Sequence, residues 1–411
     1  LPPNLYAEKY KRLFDFYVPL DEKDAIGVIG MPRALNMYED YPMWFTLFTA
    51  LGFRVELSSP EPDKDLGIDT IPSQTLCYPA KLVHRHIIEL LNRGVKNIFY
   101  PIMQTDKADF GDADKSFNCP VVTGYPDVAW LNIDDVRDSS VKFMRPSVCI
   151  DSETQMTDAI FKELAQFEIP KYAVEAAVAE ALKAQMRFKE DIEAMGRNTI
   201  SYLKEHGGVG VILAGHPYHI NPEVNHGIPE LINGYGVAVF TEDSICKMAC
   251  ELKEKAKIDV VDQWVYHSRL YRAAITAAMH PDFENIELIQ LNSFGCGLDA
   301  ISSEQTADIL ERHGKLHTIL KIDEGKNNGA VNIRIRSLLA AVKSRKEKSS
   351  LLRAVKNRDR SVSKSMAGRT ILCPPLSSHH FQFIDTVFES VGIKVKVLPE
   401  GTRESVELGL K

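Results

Sequence analysis

The chain has 411 residues, of which 45% are hydrophobic and 26% are charged. This length and composition predict a globular protein of about two to three domains and exclude a collagen, a coiled coil or a disordered chain. The net charge of −7 gives no reason to expect nucleic acid or an anionic membrane as a partner. The longest apolar runs fall far short of the roughly 18 residues that span a membrane, so we expect no membrane partner.

The cysteine content predicts the cellular compartment. Seven cysteines are scattered over the chain, which is unlike the dense spacing of a secreted disulfide protein. We therefore predict a reducing, cytoplasmic setting. The chain starts with Leu1 and has no basic stretch followed by an apolar one. This start predicts a fragment or a processed chain without a signal peptide.

Short β-branched runs alternate with amphipathic helical segments along most of the chain, which is the pattern of βαβ units. In chain order, we predict strands at 25–30, 53–57, 97–101, 209–214, 237–240, 286–291 and 316–322. Predicted helices lie between them, and the longest is at 170–197. Val121 and Val122 are expected to start another strand. The predicted fold class is α/β, with two Rossmann-like domains whose parallel sheets are flanked by helices and enclose a cleft.

The alternation of elements predicts the domain boundaries. Residues 343–369 hold ten basic and two acidic residues, which is typical of a solvated linker. After it, a strand, a helix and a second strand repeat the start of the chain. The predicted parts are an N-terminal Rossmann-like domain (1–151), a bridging helical segment (152–200), a second Rossmann-like domain (201–342), a basic linker (343–369) and the truncated start of a further α/β unit (370–411).

Three cysteines lie where an α/β sheet binds ligands. Cys77 precedes a predicted helix, Cys119 lies on a loop, and Cys296 lies between two glycines ahead of a helix expected to start at Ser302. Helix N-termini lower thiol pKa values and stabilise anionic sulfur. The residues alone leave open a metal cluster, buried inert cysteines, and a catalytic thiol or zinc site.

Histidines and two further cysteines extend this set. His216, Tyr218 and His219 follow the predicted strand at 209–214, where loop residues commonly face a ligand, so they are candidate catalytic residues. His84 and His86 are expected at the surface or in a helix cap, and the alternative is a hydrogen bond to the bound ligand of the site. Cys246 and Cys250, four residues apart on one face of a predicted helix, fit either core packing or metal binding. Their role stays open.

Several long segments resemble a known family. Over residues 5–342 the chain resembles the dehydratase-like region of the long acyl-CoA dehydratase activase fusion proteins, which are relatives of 2-hydroxyacyl-CoA dehydratase subunits and double-cubane-cluster proteins. The segments that carry the resemblance are GVIGMPRALNMYEDYPMWFTLFTALGFRVELS, IPSQTLCYPAKLVHRHI, FNCPVVTGYPDV, GHPYHINPEVNHGIPELI and LNSFGCGLDAISSEQTADIL. Matches of this length and order favour common ancestry over coincidence.

The resemblance implies an iron–sulfur protein. The cluster cysteines of the family fall on Cys77, Cys119 and Cys296, which would hold a [4Fe–4S] cluster, alone or as half of a double-cubane cluster. An ATP-dependent activase would deliver low-potential electrons to it under anaerobic conditions. The substrate would be a 2-hydroxyacyl-CoA or a small molecule that is reduced, and a preparation exposed to air would lose the cluster.

The resemblance also leaves alternatives. The chain lacks the phosphate-binding pattern Gly-x-x-x-x-Gly-Lys-Ser/Thr, so we expect it to accept electrons rather than to hydrolyse ATP. Whether it is an enzyme by itself, one part of an enzyme system, or a homodimer is not decided by the sequence. The competing hypothesis is a non-catalytic α/β binding or scaffold module with structural cysteines.

Overall fold

The computed structural model describes residues 1–253, 258–325, 327–347, 369–373, 383–399 and 401–402. These residues fall into two units, Leu1–Arg353 and Ala354–Lys411. Within the described ranges, every helix is too short or too polar to cross a membrane.

Two parallel four-stranded sheets organise the first unit. The first sheet has the strand order β2-β1-β3-β5, and the second sheet has the order β10-β9-β7-β8. The first sheet contains β1 (Val28–Met31), β2 (Arg54–Leu57), β3 (Asn97–Phe99) and β5 (Lys142–Met144). The second contains β7 (Gly210–Ala214), β8 (Ala238–Thr241), β9 (Ile286–Ser293) and β10 (His317–Ile322). A separate parallel pair joins β4 (Ile102–Met103) to β6 (Ser147–Val148).

Helices connect the strands. They are α1 (Leu5–Tyr10), α2 (Met37–Ala50), α3 (Tyr78–Asn92), α4 (Pro120–Asn132), α5 (Glu153–Glu163), α6 (Lys171–His206), α7 (Pro222–Asn225), α8 (Ile228–Gly234), α9 (Val265–Met279), α10 (Gly297–Arg312) and α11 (Asn328–Glu347). The long helix α6 packs against α2 and α5. Every residue of β7 is buried, because helices cover both faces of a parallel sheet. The parallel sheets and flanking helices confirm the predicted α/β fold class.

Some predicted elements are wrong in detail. Val121 and Val122 belong to the first turns of α4 instead of a strand. Helix α10 starts at Gly297, five residues before the expected start at Ser302. Cys246 lies in a short 3-10 helix, Cys246–Glu251, rather than in an α-helix. The first two differences change the site, because they turn Cys119 and Cys296 into residues that directly precede a helix.

A cluster of buried charges joins the helices of the two sheets. This charge cluster consists of Glu39 on α2, Asp109 before α4, Lys189 on α6 and Arg269 on α9. Arg269 donates from Nε to Asp109 Oδ2 (2.5 Å) and from Nη2 to Glu39 Oε1 (2.7 Å). Lys189 Nζ lies 3.1 Å from Asp109 Oδ1. The pairs tie three separate helices and one loop to each other.

The start of the chain packs on the second sheet. The backbone N–H of Val239 in β8 donates to the oxygen of Pro3 (3.0 Å), and the hydroxyl of Tyr6 donates to the oxygen of Leu213 in β7 (2.7 Å). The predicted N-terminal domain, 1–151, therefore has its first residues against the other sheet. The predicted domain boundaries stay predictions.

The second unit, taken by itself, contains a parallel pair of strands and a helix. β11 (Thr370–Cys373) pairs in parallel with β12 (Lys394–Val397), and α12 (Ile384–Glu389) lies between them in sequence. Residues 343–347 of the predicted linker belong to α11, and residues 348–368 lie outside the described residues.

Candidate cysteine site

Three cysteines occupy the same structural position on three different helices. Cys77 is the N-cap residue of α3, Cys119 of α4 and Cys296 of α10. Each lies at the end of a connection that runs from a strand to a helix. Pro79 and Pro120 are in the first turn of their helices, where proline is favoured because its missing N–H has no helical partner to lose. We call Cys77, Cys119 and Cys296 the cysteine site.

The loops of the two sheets meet at this site. Gly295, directly before Cys296, has φ of +83°, a conformation that glycine adopts readily. A Cβ on Gly295 would lie 3.1 Å from the backbone oxygen of Thr75 and 3.7 Å from the backbone nitrogen of Cys77. The loop after β9 therefore touches the loop before α3, and this contact depends on the missing side chain.

Burial sets the protonation of the thiols. It raises the pKa of Cys77 to about 11, and Cys119 and Cys296 raise it further although the backbone N–H of Ala80 lowers it. Burial also raises the pKa of Cys119 against the lowering effect of the N–H groups of Val121 and Val122. The prediction that helix N-termini lower the thiol pKa values is therefore wrong in net direction for these two cysteines. The three cysteines are partly buried and free of disulfides, and the raised pKa values keep the thiols of Cys77 and Cys119 protonated at neutral pH.

A buried histidine and a carboxylate adjoin the third cysteine. His216 follows β7, and its Nε2 lies 3.0 Å from Asp299 Oδ1 and 4.0 Å from the sulfur of Cys296. His267 Nε2 lies 3.2 Å from the same carboxylate oxygen. Asp299, 2% exposed, has its pKa held far below the usual range by the two histidines, despite burial. His216, Cys296 and Asp299 each offer a ligand atom within 4.8 Å of the others.

The protonation of the two histidines follows from that carboxylate. Burial lowers the pKa of His216, but Asp299 and Cys296 outweigh it and raise the pKa well above the usual value. Burial instead dominates at His267, where the pKa is lowered. An ionised carboxylate only accepts hydrogen bonds, so both histidines carry a proton on Nε2.

Aromatic rings pack around His216. The ring of Tyr218 stacks on the ring of His216 with centroids 5.1 Å apart. Burial raises the pKa of Tyr218 well above its usual value, and all three site cysteines add to the rise, so the phenol lies close to each of them. His219 Nε2 lies 3.0 Å from Ser293 Oγ, and its Nδ1 accepts the backbone N–H of His216 (3.1 Å). The candidate residues His216, Tyr218 and His219 are thus brought together beside the cysteine site.

Other predicted residues lie elsewhere. His84 and His86 are fully buried, so the prediction of surface or capping positions is wrong. His84 Nδ1 lies 2.8 Å from Thr70 Oγ1, and His86 Nδ1 lies 2.8 Å from Ser58 Oγ. Cys246 lies in the core of the second sheet with its sulfur 3.8 Å from the oxygen of Asp243. Cys250 is exposed.

Sequence reasoning missed Asp299 and His267. Asp299 stands three residues after Cys296, in the first turn of a helix whose start was expected later, so the sequence did hold a signal. His267 is on α9 and reaches Asp299 from 32 residues away in the chain, and nothing in its sequence surroundings marks it.

Solved structures that are similar to the chain have low sequence identity to it. Among the solved structures, a putative sugar binding protein from Salmonella typhimurium LT2 is similar at 10% identity over 82% of this chain and 92% of its own, with a TM-score of 0.21. The C-terminal domain of glucosamine-fructose-6-phosphate aminotransferase from Francisella tularensis is similar at 11% identity over 83% and 93%, with a TM-score of 0.18. Scores this low carry no argument. No curated protein matches the chain.

The sheets and the cysteine site define an α/β protein with two parallel sheets and a buried thiol site where their loops meet. The model of one protein family, described as CoA enzyme activase uncharacterised domain (DUF2229), matches residues 28–245. This is more than half of the chain, and the chain belongs to that family. The match covers Cys77, Cys119 and His216 and ends before Cys296.

Proposed function

We propose that the chain is the iron–sulfur, electron-accepting component of a 2-hydroxyacyl-CoA dehydratase-like or double-cubane reductase system. An ATP-dependent activase would supply the electrons. The observation that supports the proposal most directly is the arrangement of Cys77, Cys119 and Cys296, each at the N-terminus of a different helix and close enough to affect the pKa of its neighbours. The family membership relates the chain to CoA enzyme activases.

The residues fit a cluster for an electrostatic reason. Bringing three thiols into a buried space raises the pKa values of Cys77 and Cys119, so these thiols resist ionisation while they are free. Iron replaces the thiol proton and neutralises the sulfur charge, so its binding removes this cost. Backbone N–H groups of Ala80, Val121 and Val122 point at the sulfurs and favour their anionic form. The site therefore gains stability from a cation that binds several thiolates.

The chain would hold and shield the cluster. Cys77, Cys119 and Cys296 would be the ligands, and three thiolates leave one iron of a [4Fe–4S] cluster open to a further ligand or to substrate, as in catalytic zinc sites. When bound, the cluster supplies one-electron chemistry at low potential. Tyr218 is 4% exposed, and all three site cysteines influence the pKa of its phenol, so a buried aromatic side chain lies near the ligands. The loop contact at Gly295 keeps the cysteines of the two sheets together.

Anaerobic reconstitution with iron and sulfide tests the proposal. We expect about four irons per chain for a single [4Fe–4S] cluster, measured by iron quantification together with EPR of the reduced protein. Replacing Cys77, Cys119 or Cys296 by Ser should each abolish stable binding. Cys250→Ser is the matched control, since Cys250 is exposed and outside the site, and it should keep the full iron content.

Other stoichiometries would correct the proposal in defined ways. About eight irons per chain would favour the double-cubane reductase over the dehydratase. One iron or zinc per chain, kept by Cys77→Ser but lost in His216→Gln, would indicate a mononuclear site of His216, Cys296 and Asp299 instead. Protein that binds no metal under anaerobic conditions would contradict the proposal and favour a non-catalytic binding or scaffold module.

A further inference from the structure

We propose that His216 is a positioning residue that sets the reduction potential of the cluster by donating a hydrogen bond from Nε2 to the sulfur of Cys296. The inference rests on the proposed function, because it concerns the same site. It assigns to His216 an action on a ligand of the cluster and not on the substrate.

The proton between His216 and Asp299 lies on the histidine nitrogen. Asp299 Oδ1, 3.0 Å from His216 Nε2, is an acceptor only, so the proton between them belongs to the nitrogen. The Cys296 sulfur lies 4.0 Å from the same nitrogen, at the outer limit of a hydrogen bond to sulfur. An N–H that already points to one acceptor and lies beside a second is shared between them. Because His216 Nε2 carries the proton, the sulfur of Cys296 can only accept a hydrogen bond in this contact.

The surroundings fix the direction of this N–H. Asp299 is in the first turn of α10, on the same rigid helix end as Cys296, so the carboxylate and the sulfur move together. His267 donates to the same carboxylate oxygen from α9 and holds it in place (3.2 Å). Tyr218 stacks on the imidazole with an interplanar angle of 4° and restricts rotation of the ring. Three elements thus determine where one N–H points.

An N–H of this kind changes the redox equilibrium of a cluster. A reduced cluster carries more negative charge on its sulfurs than an oxidised one, so a donor to a sulfur stabilises the reduced form and raises the reduction potential. Burial strengthens the effect, since His216 is only 4% exposed and water does not compete for the sulfur.

Two variants of the iron-loaded full chain test the inference. His216→Phe keeps a flat ring but lacks the N–H, and we expect the equilibrium constant for one-electron reduction to fall about tenfold, equivalent to a potential about 59 mV lower. His216→Gln retains an N–H donor and should fall less. The matched control is His317→Gln, because His317 bonds to Gln290 Oε1 (3.1 Å) away from the site, and it should leave the potential unchanged. The measurement is a redox titration followed by EPR.

The outcomes separate the inference from the function on which it rests. Wild-type protein without iron overturns both. Wild-type protein with iron whose potential equals that of His216→Phe overturns the inference alone. If the Phe variant loses its iron, the Gln variant decides: a potential equal to that of wild type, although the exchangeable-proton coupling is lost, overturns the inference. A direct iron–nitrogen coupling in pulsed EPR would make His216 a ligand and overturn it as well.

Discussion

Two polar regions are buried in the first unit, and they differ in how their charges are compensated. In the charge cluster, Arg269 is 3% exposed and binds the carboxylates of Glu39 and Asp109, while Lys189 binds Asp109 from the other side. Each charge has an opposite partner from the same chain. The pKa of Asp109 is accordingly lowered far below its usual range by Arg269 and Lys189, although burial opposes this.

The cysteine site has no such internal partner for most of its groups. Cys77 and Cys119 have raised pKa values because burial outweighs the backbone N–H groups, and the neighbouring cysteines make ionisation of Cys77 harder. His216, which lies beside Cys296, also lowers the pKa values of Cys77 and Cys119, but its effect does not offset burial. A region whose charges are all paired stabilises the fold, whereas thiols whose raised pKa values one neighbouring histidine does not offset gain from a cation that binds to them. This difference in compensation is the reason for proposing a structural role for the charge cluster and a binding role for the cysteine site.

Removal of Arg269 should break the charge cluster and should lower the free energy of unfolding more than any other substitution considered below. Arg269→Met leaves the carboxylates of Glu39 and Asp109 buried with one cation fewer, and we expect the free energy of unfolding to fall by about 3–5 kcal/mol. Arg197→Met is the control, since Arg197 is 53% exposed and its ion pairs lie at the surface, and it should change stability by less than about 0.5 kcal/mol. Urea denaturation measures both. Equal stabilities of the two variants would mean that the charge cluster is not structural.

A buried carboxyl beside the charge cluster should give the stability of the protein a particular pH dependence. Burial, with a smaller contribution from Asp243, raises the pKa of Glu242 to about 7, well above the value of an unfolded glutamate. The folded protein then holds a proton that the unfolded chain releases first. Glu242 therefore stabilises the fold below about pH 4.5, and this contribution is lost as the pH rises through about 7.

The substitution Glu242→Gln tests whether ionisation of this carboxyl causes the pH dependence. Gln keeps the side-chain oxygen that accepts the N–H of Gly215 (3.3 Å) but cannot ionise. Relative to wild type, Glu242→Gln should gain about 3 kcal/mol of stability between pH 5 and pH 8. The measurement is a set of urea denaturations across this range. Parallel pH profiles for the two proteins would show that Glu242 ionises normally in the fold.

Replacement of Gly295 should reduce the iron content of the cysteine site, with a smaller loss of stability than replacement of Arg269. Gly295→Ala places a Cβ 3.1 Å from the oxygen of Thr75 and separates the loops that carry Cys77 and Cys296. Gly314 has a similar φ of +73° and open space around its Cβ position, so Gly314→Ala reports the backbone strain alone. Both should lose about 1–2 kcal/mol, and only Gly295→Ala should lose iron. Equal iron contents in reconstituted protein would show that the loop contact does not hold the site.

The sequence predicted the fold class better than the start of each helix. Alternating strands and helices were enough for the two parallel sheets, since burial on both faces gives strands such as β7 a continuous apolar pattern. Val121 and Val122 misled the prediction, because β-branched residues favour strands while Pro120 at the first helical position was the stronger local signal. Helix α10 was expected to start late because Ser302 is a good N-cap and Cys296 is not one of the preferred residues.

The contacts of the site were harder to predict than its cysteines. Cys77 and Cys296 could be found because glycine, proline and a preceding strand mark such positions in the sequence. His267 and Asp299 could not be paired, since their contact joins two helices that only the tertiary fold brings together. The charge cluster is a stronger example, because Glu39 and Arg269 are 230 residues apart in the chain. Local pattern carries no information about such pairs.

The smallest effects are expected at the two cysteines outside the site. Cys246 is 3% exposed among apolar side chains of the second core, so Cys246→Ala should lose about 1 kcal/mol through packing. Cys250 is exposed, so Cys250→Ser should stay within about 0.5 kcal/mol of wild type. Neither should change the iron content, since burial and nearby carboxylates raise the Cys246 pKa and no site cysteine is among its influences. Loss of half the iron in either variant would instead assign these thiols to a second cluster. The core of the second sheet would then contain metal-binding thiols as well as packing side chains.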